Sequence, residues 1–189
     1  MSISKTSLLA AAAALALGAA ASGANAQMSM DDPMVGGAAM YPSKNIVENA
    51  VNSKDHTTLV AAVKAAGLVQ TLEGPGPFTV FAPTNEAFAK LPAGTVDTLL
   101  KPENKAQLVK VLTYHVVAGR MTTKDIMGQI RAGGGKAVLT TVEGEPLTAT
   151  AMGGKIMLTD AKGRTAMVTI PNVYQSNGVI DVINTVLLP

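Results

Sequence analysis

Apolar residues recur at helical spacing through the first half of the chain. The pattern begins at Ile46 and resumes after Thr57 and Thr58, either of which could cap the N-terminus of a second helix. Gly67 is suited to end that helix, because glycine adopts the backbone conformation of helix ends at little cost. This spacing predicts two short helices in this part of the chain.

The clearest helix is predicted over residues 105–115. Its apolar stripe consists of Leu108, Val111, Leu112 and His115, which fall at positions i, i+3, i+4 and i+7. Polar side chains lie off this stripe. One face of the helix is therefore expected to pack inward and the other to meet solvent.

A short strand is predicted immediately before another helix. Residues 78–82 form a run of β-favouring side chains that ends at Pro83. Thr84 is then placed to cap a helix that carries Phe88 on its inner face. Further along, residues 122–125 have the spacing of a capping box and predict one more short helix.

The period of the apolar pattern changes to two after three consecutive glycines at 133–135. Four segments with this alternation are then predicted to form strands, at 136–142, 146–151, 155–159 and 166–170. Their connections are short, so neighbouring strands are expected to pair antiparallel. Asn177 and Gly178 signal a turn before a final run at 179–188. Because helices come first and strands last, the fold class is predicted to be α+β.

The N-terminus has the three parts of a secretory signal peptide. Lys5 supplies a positive charge, residues 8–21 form an unbroken small-apolar run, and Ala24 to Ala26 gives the pattern that signal peptidase cleaves. The alternative is a transmembrane anchor, for which the run is shorter than the roughly 20 apolar residues that a bilayer requires. We expect cleavage after Ala26, which leaves Gln27 as the N-terminus of a chain of about 160 residues, the size of one domain.

Three segments are therefore predicted: a cleaved signal peptide at 1–26, a flexible Met-rich leader at 27–43 and a single domain at 44–189. The leader contains methionine, glycine and aspartate without an apolar period. The domain contains no internal repeat, which indicates one copy of one unit. We expect a monomer without a transmembrane span, secreted or periplasmic.

Composition narrows the possible functions. The chain has no cysteine, so neither a disulfide, a thiol nucleophile nor a lipid-accepting cysteine is available. A net charge of +2, no Trp, and only three Tyr and three Phe provide neither the field nor the stacking platforms that nucleic-acid binding uses. The sequence also lacks the nucleophile-elbow, zinc-protease, phosphate-loop and dinucleotide motifs. These observations predict a protein that is not an enzyme and carries no cofactor.

Three segments, in this order, resemble the signature segments of fasciclin (FAS1) domains. The first is Phe78-Thr79-Val80-Phe81-Ala82-Pro83-Thr84-Asn85-Glu86-Ala87-Phe88, the second is Tyr114-His115 at a helix end, and the third runs from Asn177-Gly178 to Pro189. The similarity extends over roughly 46–189. The structural motif residues that carry it are Phe78, Phe81, Pro83, Thr84, Asn85, Phe88, Asn177 and Gly178.

The resemblance implies a compact wedge, in which a small antiparallel β-sandwich has several short helices packed on one side. It also implies a secreted, non-catalytic binding or adhesion module that acts in cell–cell, cell–matrix or cell–surface contact. The partner would then be an extracellular protein, a polysaccharide or another cell-surface ligand. The closing segment departs from the family pattern at Asp181, where the family usually has histidine, and at Asn184, where it often has aspartate.

Two roles are open for the Tyr114-His115 pair. His115 lies on the apolar stripe of its helix, where a buried imidazole has to be satisfied by an internal polar partner. The resemblance instead implies a contact surface, because the Tyr-His region is proposed for receptor binding in animal members of the family. Tyr114 and His115 are therefore the candidate binding residues, with a structural role as the alternative.

The leader suggests a second candidate function. Met28, Met30, Met34 and Met40 place four thioethers within a short stretch. Soft thioether ligands favour Cu(I). The alternatives are periplasmic Cu(I) binding through these methionines and a leader whose composition has no consequence for ligand binding.

Overall fold

Helices and strands occupy different parts of the chain. The computed structural model describes residues 32–189, and the predicted signal peptide lies outside the described residues. The described α-helices are α1 (Ile46–Ala50), α2 (Thr57–Ala66), α3 (Val69–Glu73), α4 (Asn85–Ala89), α5 (Thr95–Leu99), α6 (Lys105–Tyr114) and α7 (Thr123–Ala132). Two 3₁₀ helices precede α2 and α6, at Lys54–His56 and Pro102–Asn104.

The strands are mostly in the second half of the chain. They are β1 (Met34–Val35), β2 (Ala38–Ala39), β3 (Phe78–Pro83), β4 (Val116–Ala118), β5 (Lys136–Thr140), β6 (Pro146–Met152), β7 (Lys155–Thr159), β8 (Thr165–Gln175) and β9 (Gly178–Ile183). The predicted α+β class is confirmed. Within residues 32–189, no helix is both long and apolar enough to cross a membrane.

Side-chain caps fix the ends of several helices. The Thr84 hydroxyl accepts a hydrogen bond from the amide of Ala87 and so caps α4, as predicted. Thr122 and Asp125 form the predicted capping box of α7. Gly67 ends α2 in the left-handed conformation, with φ at 73°.

One predicted cap is wrong. Neither Thr57 nor Thr58 caps α2 with its side chain, because α2 follows directly on a 3₁₀ turn that ends at His56. The amide of Thr58 donates instead to Oδ1 of Asn85, at 3.0 Å. The helix is therefore capped by a side chain from α4, which is distant in sequence.

Seven strands form one curved sheet in the order β4-β3-β9-β8-β7-β6-β5. The predicted antiparallel pairing is confirmed for consecutive strands from β5 to β8. β3 and β9 are parallel, with Phe78 opposite Gly178, so the sheet is mixed. A bridge between Val117 and Thr141 connects the two ends of the sheet, which is nearly closed as a result.

Two apolar clusters pack on the two faces of this sheet. One lies between the sheet and helices α1, α2, α4 and α6, and it contains Ile180 and Val182 of β9. The other lies inside the curve of the sheet and under α7, and it contains Phe81 and Ile183. β9 is thus buried on both faces, which accounts for its nearly continuous apolar sequence.

The described part of the predicted leader packs against the domain. β1 and β2 form a two-stranded hairpin, and Val35 and Met40 beside it are buried in the cluster under the helices. The amide of Tyr41 donates to Oδ1 of Asn49, at 3.0 Å. The prediction of a flexible leader is therefore wrong for residues 32–43. Two buried side chains are too few to produce a detectable period in the sequence.

Candidate functional site

Tyr114, the first candidate binding residue, is fully buried at the end of α6. Its hydroxyl donates to the carbonyl of Pro146, at 3.0 Å, and accepts from the amide of Ala161, at 3.1 Å. The side chain therefore connects α6 with the start of β6 and with the turn between β7 and β8. Burial raises the pKa of the Tyr114 hydroxyl above its ordinary value, so the hydroxyl stays protonated and keeps both bonds.

His115, the second candidate, is 2% exposed and uses both ring nitrogens internally. Nδ1 lies 2.8 Å from the carbonyl of Val111, and Nε2 lies 3.0 Å from the amide of Leu187. A carbonyl can only accept and an amide N–H can only donate, so Nδ1 carries the proton and Nε2 accepts. Burial lowers the pKa of His115 to about 4, which keeps the imidazole neutral at physiological pH.

This geometry bears on both roles considered for the pair. Neither side chain reaches the surface, and each of their polar atoms already has a partner inside the protein. The arrangement matches what a structural role requires. A role of Tyr114 and His115 in binding stays a prediction, and it would require this part of the domain to open.

The first signature segment connects helices to the sheet. Phe81 and Phe88 are buried in the two clusters, and Pro83 ends β3. The side chain of Asn85 both accepts and donates a hydrogen bond. Its Oδ1 accepts from the amide of Thr58, and its Nδ2 donates to the carbonyl of Lys54 at 2.8 Å. These residues position α2 against α4.

The closing signature forms a second set of internal bonds. Oδ1 of Asn177 accepts from the amide of Ile46 at the start of α1, and its Nδ2 donates to the carbonyls of Leu72 and Gly74 at 2.7 and 2.8 Å. A Cβ at Gly178 would collide with the carbonyl oxygen of Phe78. The two segments therefore meet directly, and together they fix α1 and α3 on the sheet.

His56, the second histidine of the chain, is also buried, at 3% exposure. Its Nδ1 lies 2.9 Å from Oγ of Ser53, while Nε2 has no hydrogen-bond partner among the described residues. Burial lowers the pKa of His56 below its ordinary value. His56 and His115 line an apolar cavity of about 80 Å³ between helices and sheet, roughly half of the ~150 Å³ that an engineered benzene-binding cavity provides.

Asp181 is an acidic side chain in the protein interior, where ionisable groups are rare. It is 0% exposed in the middle of β9, where Oδ1 accepts from the amide of Asn172 at 2.8 Å and Oδ2 has no partner among the described residues. Burial raises the pKa of Asp181 to about 6. Asn172 has a left-handed backbone, with φ at 55°, and exchanges two hydrogen bonds with Thr123 at the start of α7.

The sequence identified Asp181 only as a departure from a family pattern. Its partner Asn172 was not identified, although asparagine is one of the few residues that readily adopt a left-handed backbone. Asn184, the second departure, lies at the end of β9, where its Oδ1 accepts from the amide of Met167 at 2.9 Å. It therefore joins β8 to the end of β9.

The four methionines of the copper hypothesis are in different environments. Met28 and Met30 lie outside the described residues, Met34 is 59% exposed, and Met40 is 2% exposed within the core. A ligand set that includes Met40 would require this side chain to leave the core. Among residues 32–189, no group of three or more His, Cys, Asp or Glu side chains is placed to hold a metal ion.

Comparisons with known proteins agree on one family. The sequence model of the Fasciclin domain matches residues 54–189. Protein sll1483 of Synechocystis sp. is 49% identical over 156 residues, which cover 82% of this chain and 79% of that protein. The cell surface glycolipoprotein MPB83 of Mycobacterium bovis is 34% identical over 158 residues, which cover 84% of this chain and 61% of that protein.

A solved structure has the same fold. It is the FAS1 domain pair of the insect cell adhesion molecule fasciclin I, which superimposes with a TM-score of 0.68 at 18% sequence identity. The match covers 77% of this chain and 51% of the domain pair. At this level of identity, the likeness concerns the fold alone.

Proposed function

The chain belongs to the fasciclin domain family, and on this premise we propose that it is an exported, non-catalytic binding module that mediates cell–cell, cell–matrix or cell–surface contact. Two of the proteins that it resembles support this proposal by their names, one as a cell surface glycolipoprotein and the other as a cell adhesion molecule. The ligand would be an extracellular protein, a polysaccharide or another cell-surface molecule.

The observation that carries the proposal is the internal use of the signature residues. Four signature side chains form hydrogen bonds with backbone groups of neighbouring elements: Tyr114, His115, Asn85 and Asn177. A general base must reach a substrate proton, and a buried imidazole with both nitrogens bonded cannot do so without unfolding locally. The signature residues therefore build a scaffold, and binding is left to the exposed outer surface.

Export is part of the same proposal. Residues 1–26 have the composition of a signal peptide, and cleavage after Ala26 would release a chain that begins at Gln27. The chain has no cysteine that could accept a lipid beside this site. We therefore propose that the protein is secreted or periplasmic.

A binding screen with the mature chain tests the proposal. Protein starting at Gln27 is immobilised and exposed to a glycan array, to purified matrix proteins and to intact cells, with a denatured sample of the same chain as control. We expect saturable binding to at least one class by the folded protein alone. Equal binding by both samples, or turnover in a panel of hydrolytic and redox substrates, would contradict it.

The copper alternative has less support from the positions of its ligands. Met40 contributes to the core beside Ile46 and Val47, so only three of the four thioethers are outside that core or outside the described residues. Two aspartates within the stretch are hard oxygen ligands, which Cu(I) does not prefer. A Cu(I) titration of the mature chain separates the two functions.

A further inference from the structure

A cleft runs between α7 and the neighbouring strands β7 and β8, and none of the signature residues lines it. Its volume is about 380 Å³, within the roughly 300–1,000 Å³ of small-molecule sites. Helix α7 supplies one wall. The turn before β7 and the middle of β8 supply the other wall.

Three cations line this cleft, which we name the cationic cleft: Lys124, Arg131 and Lys155. Lys124 and Arg131 are seven residues apart on α7, so both lie on the helix face that meets the cleft. No acidic side chain lines the cleft, and none of the three forms a salt bridge with another described residue. Asp125 is next to Lys124, but its carboxylate bonds Thr122 in the capping box of α7.

The charge of the cleft contrasts with that of the whole chain. The full sequence carries a formal net charge of only +2. Three unpaired cations around one concave surface therefore concentrate a positive potential there, because low-dielectric walls focus the field into a cleft. A ligand with negative charges would be attracted to this place rather than to the domain at large.

The remaining lining residues narrow the ligand class. Met127 and Pro171 present apolar surface above the buried Ile156 and Val168, and together these four side chains form an apolar floor. The hydroxyl of Thr123 accepts from Nδ2 of Asn172 and can still donate, and the hydroxyl of Thr169 donates to the carbonyl of Val182 and can still accept. The lining contains no aromatic side chain, so bases could not stack as they do in single-stranded nucleic-acid sites. An acidic sugar needs cations to pair with its carboxylates, hydrogen-bonding groups to meet its hydroxyls, and an apolar surface to contact the C–H faces of its rings. The lining of the cleft provides all three.

The spacing of the cations favours a chain over a single small anion. Seven residues along α7 correspond to about 10 Å between the backbones of Lys124 and Arg131. One phosphate or sulfate would engage only part of such a set. A polymer with a carboxylate on successive sugars would engage all three, and Arg131 could bind one carboxylate through two parallel hydrogen bonds.

We propose that the cationic cleft binds an acidic polysaccharide through its uronic-acid carboxylates. This inference rests on the proposed binding function and names the ligand class and the surface that would carry it. Lys124, Arg131 and Lys155 pair with carboxylates of the sugar chain, and the apolar floor contacts its ring faces.

The test uses oligosaccharides of polygalacturonate and alginate as probes, titrated calorimetrically into the mature protein. The cleft variant combines Lys124→Gln, Arg131→Gln and Lys155→Gln. The control variant combines Lys101→Gln, Lys162→Gln and Arg164→Gln, which removes the same charge from exposed positions outside the cleft. Circular dichroism melting confirms that both variants are folded.

We expect uronate binding by the wild type and the control variant, and a loss of about tenfold to a hundredfold in affinity for the cleft variant. Neutral dextran oligosaccharides should not bind. Binding should weaken at high salt, because exposed charge pairs are screened.

Three results would overturn the inference. They are no uronate binding by the wild type, an equal loss in both variants, and binding of anionic phospholipid vesicles through the cleft in place of uronates. If the wild type still binds cells or matrix proteins in the broader screen, only the cleft assignment fails. If it binds nothing in either experiment, the proposed function fails as well.

Discussion

Replacing Asp181 with asparagine should make the protein more stable at neutral pH. The carboxyl is fully buried and one of its oxygens has no hydrogen-bond partner, so its ionisation is poorly compensated. In Asp181→Asn the amide oxygen can keep the bond from the Asn172 backbone while the charge is removed. The side-chain volume is almost unchanged, but Nδ2 of the asparagine brings two N–H donors to the place where Oδ2 has no partner. Their burial costs stability equally at every pH, so the change in the stability difference between pH 4 and pH 8 isolates the effect of the charge.

The size of this stability difference follows from the pKa of Asp181. Burial raises the pKa of Asp181 to about 6, and an unfolded chain has about 3.9. Because the folded pKa is the higher one, the stabilising neutral form is fully present below about pH 4, and its contribution is lost as the pH rises through about 6. Two pKa units correspond to about 3 kcal/mol. The stability of the variant relative to the wild type should therefore be about 3 kcal/mol higher at pH 8 than at pH 4.

His115 makes the pH profile more informative. Burial lowers the pKa of His115 to about 4, so the stability it contributes is present above about pH 6.5 and is lost as the pH falls toward 4. Between about pH 4 and 6 the slopes of His115 and Asp181 oppose each other, each at about 1.4 kcal/mol per pH unit. The wild type should therefore lose less stability than Asp181→Asn as the pH falls through this range. His56, whose pKa is also lowered by burial, acts in the same direction as His115.

Urea unfolding from pH 4 to pH 8 measures these profiles, and far-UV circular dichroism is the suitable signal because the chain has no Trp. Asp160→Asn is the matched control. Asp160 is buried too, but its oxygens accept from the amides of Lys162, Arg164 and Leu188, so this variant should be destabilised by about 1–3 kcal/mol at pH 8. A stability difference between Asp181→Asn and the wild type that is the same at pH 4 and pH 8 would refute the reasoning.

His115→Ala should lower the free energy of unfolding by about 1–3 kcal/mol, because the amide of Leu187 loses its partner. An unchanged melting temperature with lost ligand binding would assign His115 to a contact surface. Met40→Ala should cost about 2–5 kcal/mol in urea unfolding, whereas the exposed Met34→Ala should cost little. Cu(I) titration should show no tight stoichiometric binding, and tight binding that Met34→Leu abolishes would favour the copper alternative. Mass spectrometry of exported protein should find Gln27 at the N-terminus, and an intact N-terminus in the membrane fraction would contradict this.

Local features of the fold could be predicted because their causes are local. The stripe of α6, the Thr84 cap and the hairpins from β5 to β8 depend on residues within a few positions of one another. The order of helical and strand patterns predicted the α+β class, and the family resemblance added the expected architecture from three short segments. The hairpin at β1 and β2 was missed, because only Val35 within it and Met40 directly after it are buried.

Features that join distant segments could not be predicted from periodicity. Asn85 was identified only as a motif residue of the first signature segment, and nothing in its neighbourhood indicates that it bonds α2. The grouping of cations in the cationic cleft could not be predicted either, since Lys155 lies near Lys124 only because β7 packs near α7. The pKa of Asp181 depends on complete burial, which an isolated Asp in an apolar run does not establish.

The position of β9 has a consequence for the order in which the domain can assemble. Among the described strands β9 is synthesised last, yet it lies between β3 and β8 at the centre of the sheet. β3 therefore waits for a partner that is about a hundred residues further along, and pairing over such distances makes folding slow. A fragment that ends at Ser176 should accordingly lack the ordered sheet in circular dichroism. For a chain that we propose is exported, this late closure would leave time to cross a membrane before the domain becomes too rigid to pass.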